Sequence, residues 1–329
     1  MKRTTIKDVA REAGVSISTV SNALNNVGVI SEKTRAHVLE VAERLHYIPN
    51  RSGQSLRMQE KKAIGLFLHE LRGAYYGVLA DTLHRECRKR GYELYIFITD
   101  DDETILQKIV GGEVSAAVLF CDVTERAMRE LDHAGIPVVA LNAEVRSNNI
   151  SSVAFNSYHV GEIAANYLMS LGHKRLMHIG GLGRNYDSVN REKGMVDAMA
   201  RAGLTLDPDY RLDGQFSRGR AYQEMKRFLT TGKELPDAIF AGNDESAHGC
   251  IQALMDEGIR VPEDVSVMGC DDIELCEVMT PKLTTVRTNF QEQGGIALNC
   301  LLHMMDGGEG VVRYIDAQLI VRNSCKAKQ

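Results

Sequence analysis

No run of about 18 apolar residues, the length that spans a bilayer, occurs in the 329-residue sequence. The opening MKRTTIKD also lacks the apolar stretch of a secretion signal, so a cytoplasmic location is expected. Cysteine pairing is missing too. The seven cysteines, at 87, 121, 250, 270, 276, 300 and 325, are odd in number and never take the paired spacing of a zinc site or redox motif. They read as reduced thiols packed like small hydrophobes. Neither a nucleophile elbow, an HExxH nor a phosphate loop is present. An enzyme is therefore not expected, nor a metal or cofactor.

What the sequence does have is an uneven charge. The net charge of −5 alone argues against a nucleic-acid partner. Yet residues 1–62 carry 11 Lys and Arg against 6 Asp and Glu, leaving 28 against 38 for the rest. A basic head on an acidic body is the pattern of a nucleic-acid-binding module fused to something else.

The head opens on TIKDVAREAGVSISTVSNAL, residues 5–24. Apolar positions Ile6, Val9, Ala10 and Ala13 stop at Gly14 and restart at Val15, so two short helices meet at a glycine. Thr5 with Asp8 makes a capping box, Gly14 suits a left-handed turn, and Ser16 caps the second helix. Ser31 caps a third helix through about Leu45, with Val38, Leu39, Val41, Ala42 and Leu45 expected inside. The second helix is rich in mediocre helix formers. A helix-turn-helix explains them: Thr5, Ser16 and Ser21 hold phosphates while Ile17, Ser18 and Asn22 face base edges in the major groove. An isoleucine there can touch a thymine methyl. The alternative is a small helical bundle with a capped polar helix. After Pro49, NRSGQSLRMQEKK (50–62) reads as a polar, basic hinge. In it Leu56 stands as a staple onto the next domain or as a minor-groove wedge, beside the DNA-contact candidates Asn50 and Gln54.

From residue 63 short apolar runs (AIGLFL, ELYIFIT, AAVLF, PVVAL, SVAF, RLMHIGG, AIFAG, VSVMGC) alternate with helical patterns such as 77–90, 159–171 and 190–202. This is the rhythm of βαβ units on parallel sheets buried on both faces. About eight strands exceed one ordinary sheet, so two doubly wound lobes are expected, with a ligand cleft at the carboxyl ends of their strands. HIGGLGRN (178–185) is glycine-rich but fits neither dinucleotide nor P-loop spacing. In GCDDIE, Asp271 and Asp272 are adjacent at a strand end and point opposite ways, so only one can face the cleft.

With these residues in view, TIKDVAREAGVSISTVSNALNN and ISEKTRAHVLEVAERLHYIPN resemble the DNA-binding headpiece of the LacI/GalR family of bacterial transcription regulators. The resemblance continues through GYELYIFITDDDE, LGHKRLMHIGG, IFAGNDESAHGCIQAL, VPEDVSVMGCDDIE, MTPKLTTVRTN and LIVRNS, and so spans essentially the whole chain. It implies a small all-α helix-turn-helix headpiece (1–48), a hinge helix and linker (49–61) and an α/β periplasmic-binding-protein-like core (62–329) of two doubly wound parallel-sheet lobes. The N-lobe would hold about 62–157 and 290–318, the C-lobe about 158–289 and 319–329, joined by three crossovers. It further implies a homodimer that reads a pseudo-palindromic operator in double-stranded DNA and responds to a small-molecule effector, with a sugar or sugar derivative expected first. Carried over by position, Ile17, Ser18 and Asn22 fall where the family reads bases and Leu56 on its wedge. Tyr75, Tyr76, Asp122, Asn142, Arg191, Asn243, Asp271 and Phe290 fall on effector-cleft positions. Asn22 replaces a frequent arginine, Gly53 a usual alanine, Cys270 an aromatic, and Asn142 and Asn156 common aspartates. A purine, nucleoside or phosphosugar corepressor is the alternative ligand, and a solute-binding protein the alternative function.

Overall fold

The computed structural model describes residues 4–25, 27–28, 30–45, 47 and 62–328. The hinge candidates Asn50, Gln54 and Leu56 lie outside the described residues. The chain divides into two compact units, 1–61 and 62–329.

The first unit holds α1 (Ile6–Ala13), α2 (Ile17–Asn25) and α3 (Glu32–Arg44). The Asp8 carboxylate accepts from both Thr5 N at 3.0 Å and Thr5 Oγ1 at 2.7 Å, which starts α1. Gly14 ends it at φ 65°, the left-handed turn that only glycine adopts without strain. Ser16 Oγ accepts from Thr19 N and Ser31 Oγ from Thr34 N, each at 3.1 Å, so both predicted caps are in place. Val9, Ala13, Val20, Ala23, Val38 and Val41 form the core. Leu39, expected inside, is 45% exposed. Val38, Val41 and Ala42 make one i, i+3, i+4 stripe, and residue 39 is rotated about 100° off it.

The second unit contains two six-stranded sheets. The first has the order β11-β5-β4-β3-β1-β2, built from β1 (Ala63–Leu68), β2 (Glu93–Ile98), β3 (Ala116–Phe120), β4 (Val138–Leu141), β5 (Ile150–Phe155) and β11 (Val312–Ile315). All its pairings are parallel. On β1, Ile64, Leu66 and Leu68 pack under α4 (Ala74–Lys89) and α12 (Phe290–Met305). Phe67 packs on the other face with α5 (Asp102–Val110) and α6 (Glu125–His133). A strand covered on both sides reads as an unbroken apolar run, as AIGLFL does. β2, read as equally buried, is instead an edge strand whose Tyr95, Ile96 and Ile98 are exposed.

The second sheet has the order β12-β10-β9-β8-β6-β7, from β6 (Leu176–Gly180), β7 (Arg211–Asp213), β8 (Ala238–Ala241), β9 (Ser266–Asp271), β10 (Thr284–Arg287) and β12 (Gln318–Ile320). Only β12 runs antiparallel. It is flanked by α7 (Ser157–Ser170), α8 (Tyr186–Arg201), α9 (Arg218–Leu229), α10 (Asp244–Asp256) and the short α11 (Leu275–Val278). The chain passes between the lobes after β5, between β10 and α12, and between β11 and β12. These three passages bring the carboxyl ends of both parallel sheets to face one cleft.

Candidate functional site

On the headpiece, Ile17 and Ser18 are exposed, Ser21 and Asn22 half-buried, and Val20 and Ala23 buried. Positions 17, 18, 21 and 22 therefore share the face of α2 opposite its core stripe. Ile17, 41% exposed, is held in water by no packing need of the headpiece. The Thr5 hydroxyl is committed to Asp8, and Ser16 Oγ lies within hydrogen-bond distance of Ser18 Oγ and Thr19 Oγ1, so both also serve their own helices. The Asn22 amide rests against Gly28, where an added Cβ would come within 3.1 Å of its Nδ2.

In the core, the N-lobe side of the cleft is aromatic. Tyr75, at the start of α4, meets Phe290 edge-on at 4.5 Å between ring centres and Phe120 at 4.7 Å. Its neighbour Tyr76 turns inward, with its hydroxyl 2.9 Å from His69 Nε2. The Tyr75 hydroxyl donates to Gln293 Oε1 at 2.5 Å, and Gln293 Nε2 donates onward to Asn142 Oδ1 at 2.7 Å. Asn142 sits just past β4 at φ 49°, a left-handed conformation that asparagine tolerates better than most residues. Gln293 is fully buried, so this amide chain is rigid and satisfied apart from what the cleft offers.

The C-lobe side is charged. Arg191 on α8 is buried, with Nη1 donating to the Gly242 carbonyl and Nη2 3.6 Å from Asp271 Oδ1. The Phe216 ring lies 5.9 Å from its guanidinium carbon. Burial opposes the charge, but Cys270, Asp271, Asp187 and Asp244 around it more than offset that and raise its pKa. Among the described residues Arg191 Nε has no hydrogen-bond partner. Asp187, one turn before Arg191 on α8, accepts from Ser157 Oγ and is reached by Asn142 from the other lobe. Burial raises the pKa of Asp187, and raises that of Asp271 to about 6 against the pull of Arg191. Burial also pushes the Tyr75 hydroxyl well up, with Asp187 and Asp271 adding to it, so the aromatic and charged walls face each other.

Of the residues expected at the cleft, Tyr75, Asn142, Arg191, Asp271 and Phe290 meet in this cluster. Asn243 instead shapes the backbone around it. Its Oδ1 caps α10 by accepting from Ser246 N at 2.9 Å, and its Nδ2 donates to the Phe216 carbonyl at 3.1 Å. Asp122 stays exposed in the loop after β3. Asp272 turns from Arg191 to Arg287 and Arg322, each at 2.7 Å, so only one of the two aspartates faces the cleft, as expected, although their positive φ and not strand alternation sets the directions. Asp187, Gln293, Phe120 and Phe216 were not singled out from sequence. For Asp187 a signal existed, an acid four residues before an arginine on one helix face. Of the glycines in HIGGLGRN, Gly181 has a packing cause: a Cβ there would sit 2.2 Å from the Phe216 ring.

A helix-turn-helix unit followed by two lobes that enclose a polar, aromatic-walled cluster is the build of a DNA-binding regulator controlled by a small molecule. Residues 5–50 match the bacterial regulatory proteins of the lacI family, and residues 165–325 the periplasmic binding protein-like domain. The chain is 34% identical over 309 residues to the ribose operon repressor of Escherichia coli (strain K12), covering 91% of this chain and 92% of that one. It is 32% identical over 334 residues to the HTH-type transcriptional repressor PurR of Haemophilus influenzae (strain PittEE), covering 98% and 99%. The chain belongs to the LacI family of bacterial transcription regulators. Its fold is also that of the lac repressor dimer bound to operator and the anti-inducer ONPF, with a TM-score of 0.84 at 24% identity over 99% of this chain and 100% of that one. A transcriptional regulator CelR–cellobiose complex superposes with a TM-score of 0.75 at 26% identity, over 98% and 100%. Among the described residues no helix is long and apolar enough to cross a membrane.

Proposed function

We propose that this regulator is a cytoplasmic, non-catalytic repressor of carbohydrate-utilisation genes that binds a pseudo-palindromic operator as a homodimer and takes a neutral sugar or sugar derivative between its lobes. Residues 1–48 read DNA, 49–61 form the hinge, and 62–329 bind effector and partner copy. The observation that carries the ligand reading is Arg191: a buried guanidinium with an unspent Nε donor, set between Asp187 and Asp271 and opposite the Tyr75–Phe290 wall. Vicinal hydroxyls both donate to carboxylates and accept from a guanidinium, and a sugar's apolar face stacks on an aromatic ring. One cation against two acids is poorly matched to a phosphate dianion. The names of the ribose operon repressor and the CelR–cellobiose complex support the same class.

A thermal-shift panel of D-ribose, other pentoses and hexoses, cellobiose, ribose 5-phosphate, hypoxanthine and guanosine tests this. Ligand at a hundredfold excess over Kd stabilises the folded chain by about 2.7 kcal/mol, so the matching sugar gives a clear rise in Tm. Arg191→Ala and Asp271→Asn should remove that rise and leave operator binding intact. A rise with only the nucleobase or the phosphorylated sugar overturns the neutral-sugar reading.

A further inference from the structure

Asp244, the first residue of α10, is almost completely buried and is not one of the effector-cleft positions expected from sequence. Its carboxylate ties together elements that the sheet alone leaves separate. Oδ1 accepts from Thr285 Oγ1 on β10 at 2.6 Å, and Oδ2 accepts from the backbone N of Ile273 at 3.0 Å. Gly269 on β9 makes the approach possible, since a Cβ there would stand 2.2 Å from Asp244 Oδ1.

Ile273 closes the turn that carries Asp271 and Asp272. Both aspartates have positive φ, 116° and 61°. Non-glycine residues keep such conformations only where their surroundings over-determine them. Here the surroundings can be named. Asp272 is clamped from outside by Arg287 and Arg322, and Asp271 accepts from Thr288 Oγ1 at 3.2 Å. From inside, the anchor is Asp244. The result of the strain is geometric: the Asp271 carboxylate is turned toward Arg191 instead of continuing the strand.

We propose that Asp244 is a positioning residue of the effector cleft, its bridge from Thr285 to Ile273 N holding the Asp271–Asp272 turn in the form that presents Asp271 to Arg191 and to ligand. The proposal rests on the reading of Asp271 as a ligand contact. Charged and titratable groups face Asp244 from each neighbouring element: Cys270 and Asp271 on β9, Arg191 on α8 and Cys276 on α11. The two cysteines supply a probe that needs no ligand, because both are buried beside the bridge.

The test uses the full chain with N-ethylmaleimide labelling read site by site by mass spectrometry, alongside D-ribose titration and operator binding. Asp244→Ala should raise labelling of Cys270 and Cys276 at least tenfold while buried Cys87, Cys250 and Cys300 stay protected, and should weaken D-ribose at least tenfold with operator binding kept. Asp244→Asn can accept from Ile273 N and donate to the Thr285 hydroxyl, and should restore most of both. If Asp244→Ala fails to fold, Thr285→Val carries the same measurements with half the bridge removed. Unchanged labelling at 270 and 276, a rise at every cysteine together, or an Asn variant as impaired as the Ala variant overturns the proposal. If the wild type binds another sugar of the thermal-shift panel and not D-ribose, that sugar takes its place in the titration; absence of binding by every sugar of the panel fails the ligand reading instead, while the labelling still decides the bridge.

Discussion

Three aspartates, 187, 244 and 271, crowd one guanidinium, and all three hold their protons more tightly in the folded chain than a free carboxyl does. The cause is burial in each case, which disfavours the charged form and brings Asp271 to about 6 and Asp244 to about 7. A folded-state pKa raised above the unfolded one gives stability that is complete below about pH 4 and declines as pH climbs through 6 and 7. Asp244→Asn removes one titrating group and keeps the shape. The Tm of the wild type should therefore fall relative to that of Asp244→Asn between pH 5 and 8, as followed by differential scanning calorimetry. A difference that stays constant across that range removes Asp244 from the linkage. Arg191, Asp271, Tyr75 and Phe290 were legible in the sequence because family motifs carry them. Gln293 and Phe216 were not, since their partners lie across a loop or another element and no spacing along the chain records the contact.

At the scale of the element, local chemistry was the most readable part. Thr5 with Asp8, Gly14, Ser16 and Ser31 act through neighbours three or four residues away, so the sequence contains both halves of each interaction. Strands buried on both faces were readable as unbroken apolar runs, even the four residues of β4 (VVAL) and β8 (AIFA), whereas β7 (RLD), β10 (TTVR), β11 (VRYI) and β12 (QLI) mix polar with apolar residues and leave no such run. Gly14 allows a quantitative test. A Cβ placed on it would meet nothing within 4 Å, so Gly14→Ala tests the backbone alone. Holding alanine at φ 65° costs about 1 kcal/mol, which makes opening of the α1–α2 corner about fivefold more populated. Amide hydrogen exchange should quicken by that factor in α1 and α2 and remain unchanged in the core. Unaltered exchange across the corner would mean that the turn conformation is not what holds the two helices together.

For the whole molecule, the two lobes are joined by three chain passages and by the side chains that meet between them. Tyr75, Asn142 and Gln293 come from one lobe and Asp187, Arg191 and Asp271 from the other. A ligand between those walls changes DNA affinity only insofar as it binds one lobe arrangement more tightly than the other. The DNA side is governed by a different force. With 11 Lys and Arg against 6 Asp and Glu in residues 1–62, and an acidic remainder, attraction to phosphate is confined to the head while the body repels the duplex. Each phosphate neutralised releases counterions, so log K for operator should fall linearly with log salt, by about 0.9 per phosphate contact. Between 50 and 200 mM salt, a dimer making roughly 6–10 such contacts loses about 10³–10⁵ in affinity. Ile17→Ala should lower operator affinity without changing that slope, because an apolar base contact releases no counterion. Fluorescence anisotropy across a salt series measures both quantities. A flat salt response refutes the basic-head reading, and an Ile17→Ala slope shallower by a full contact refutes the assignment of α2 to base edges.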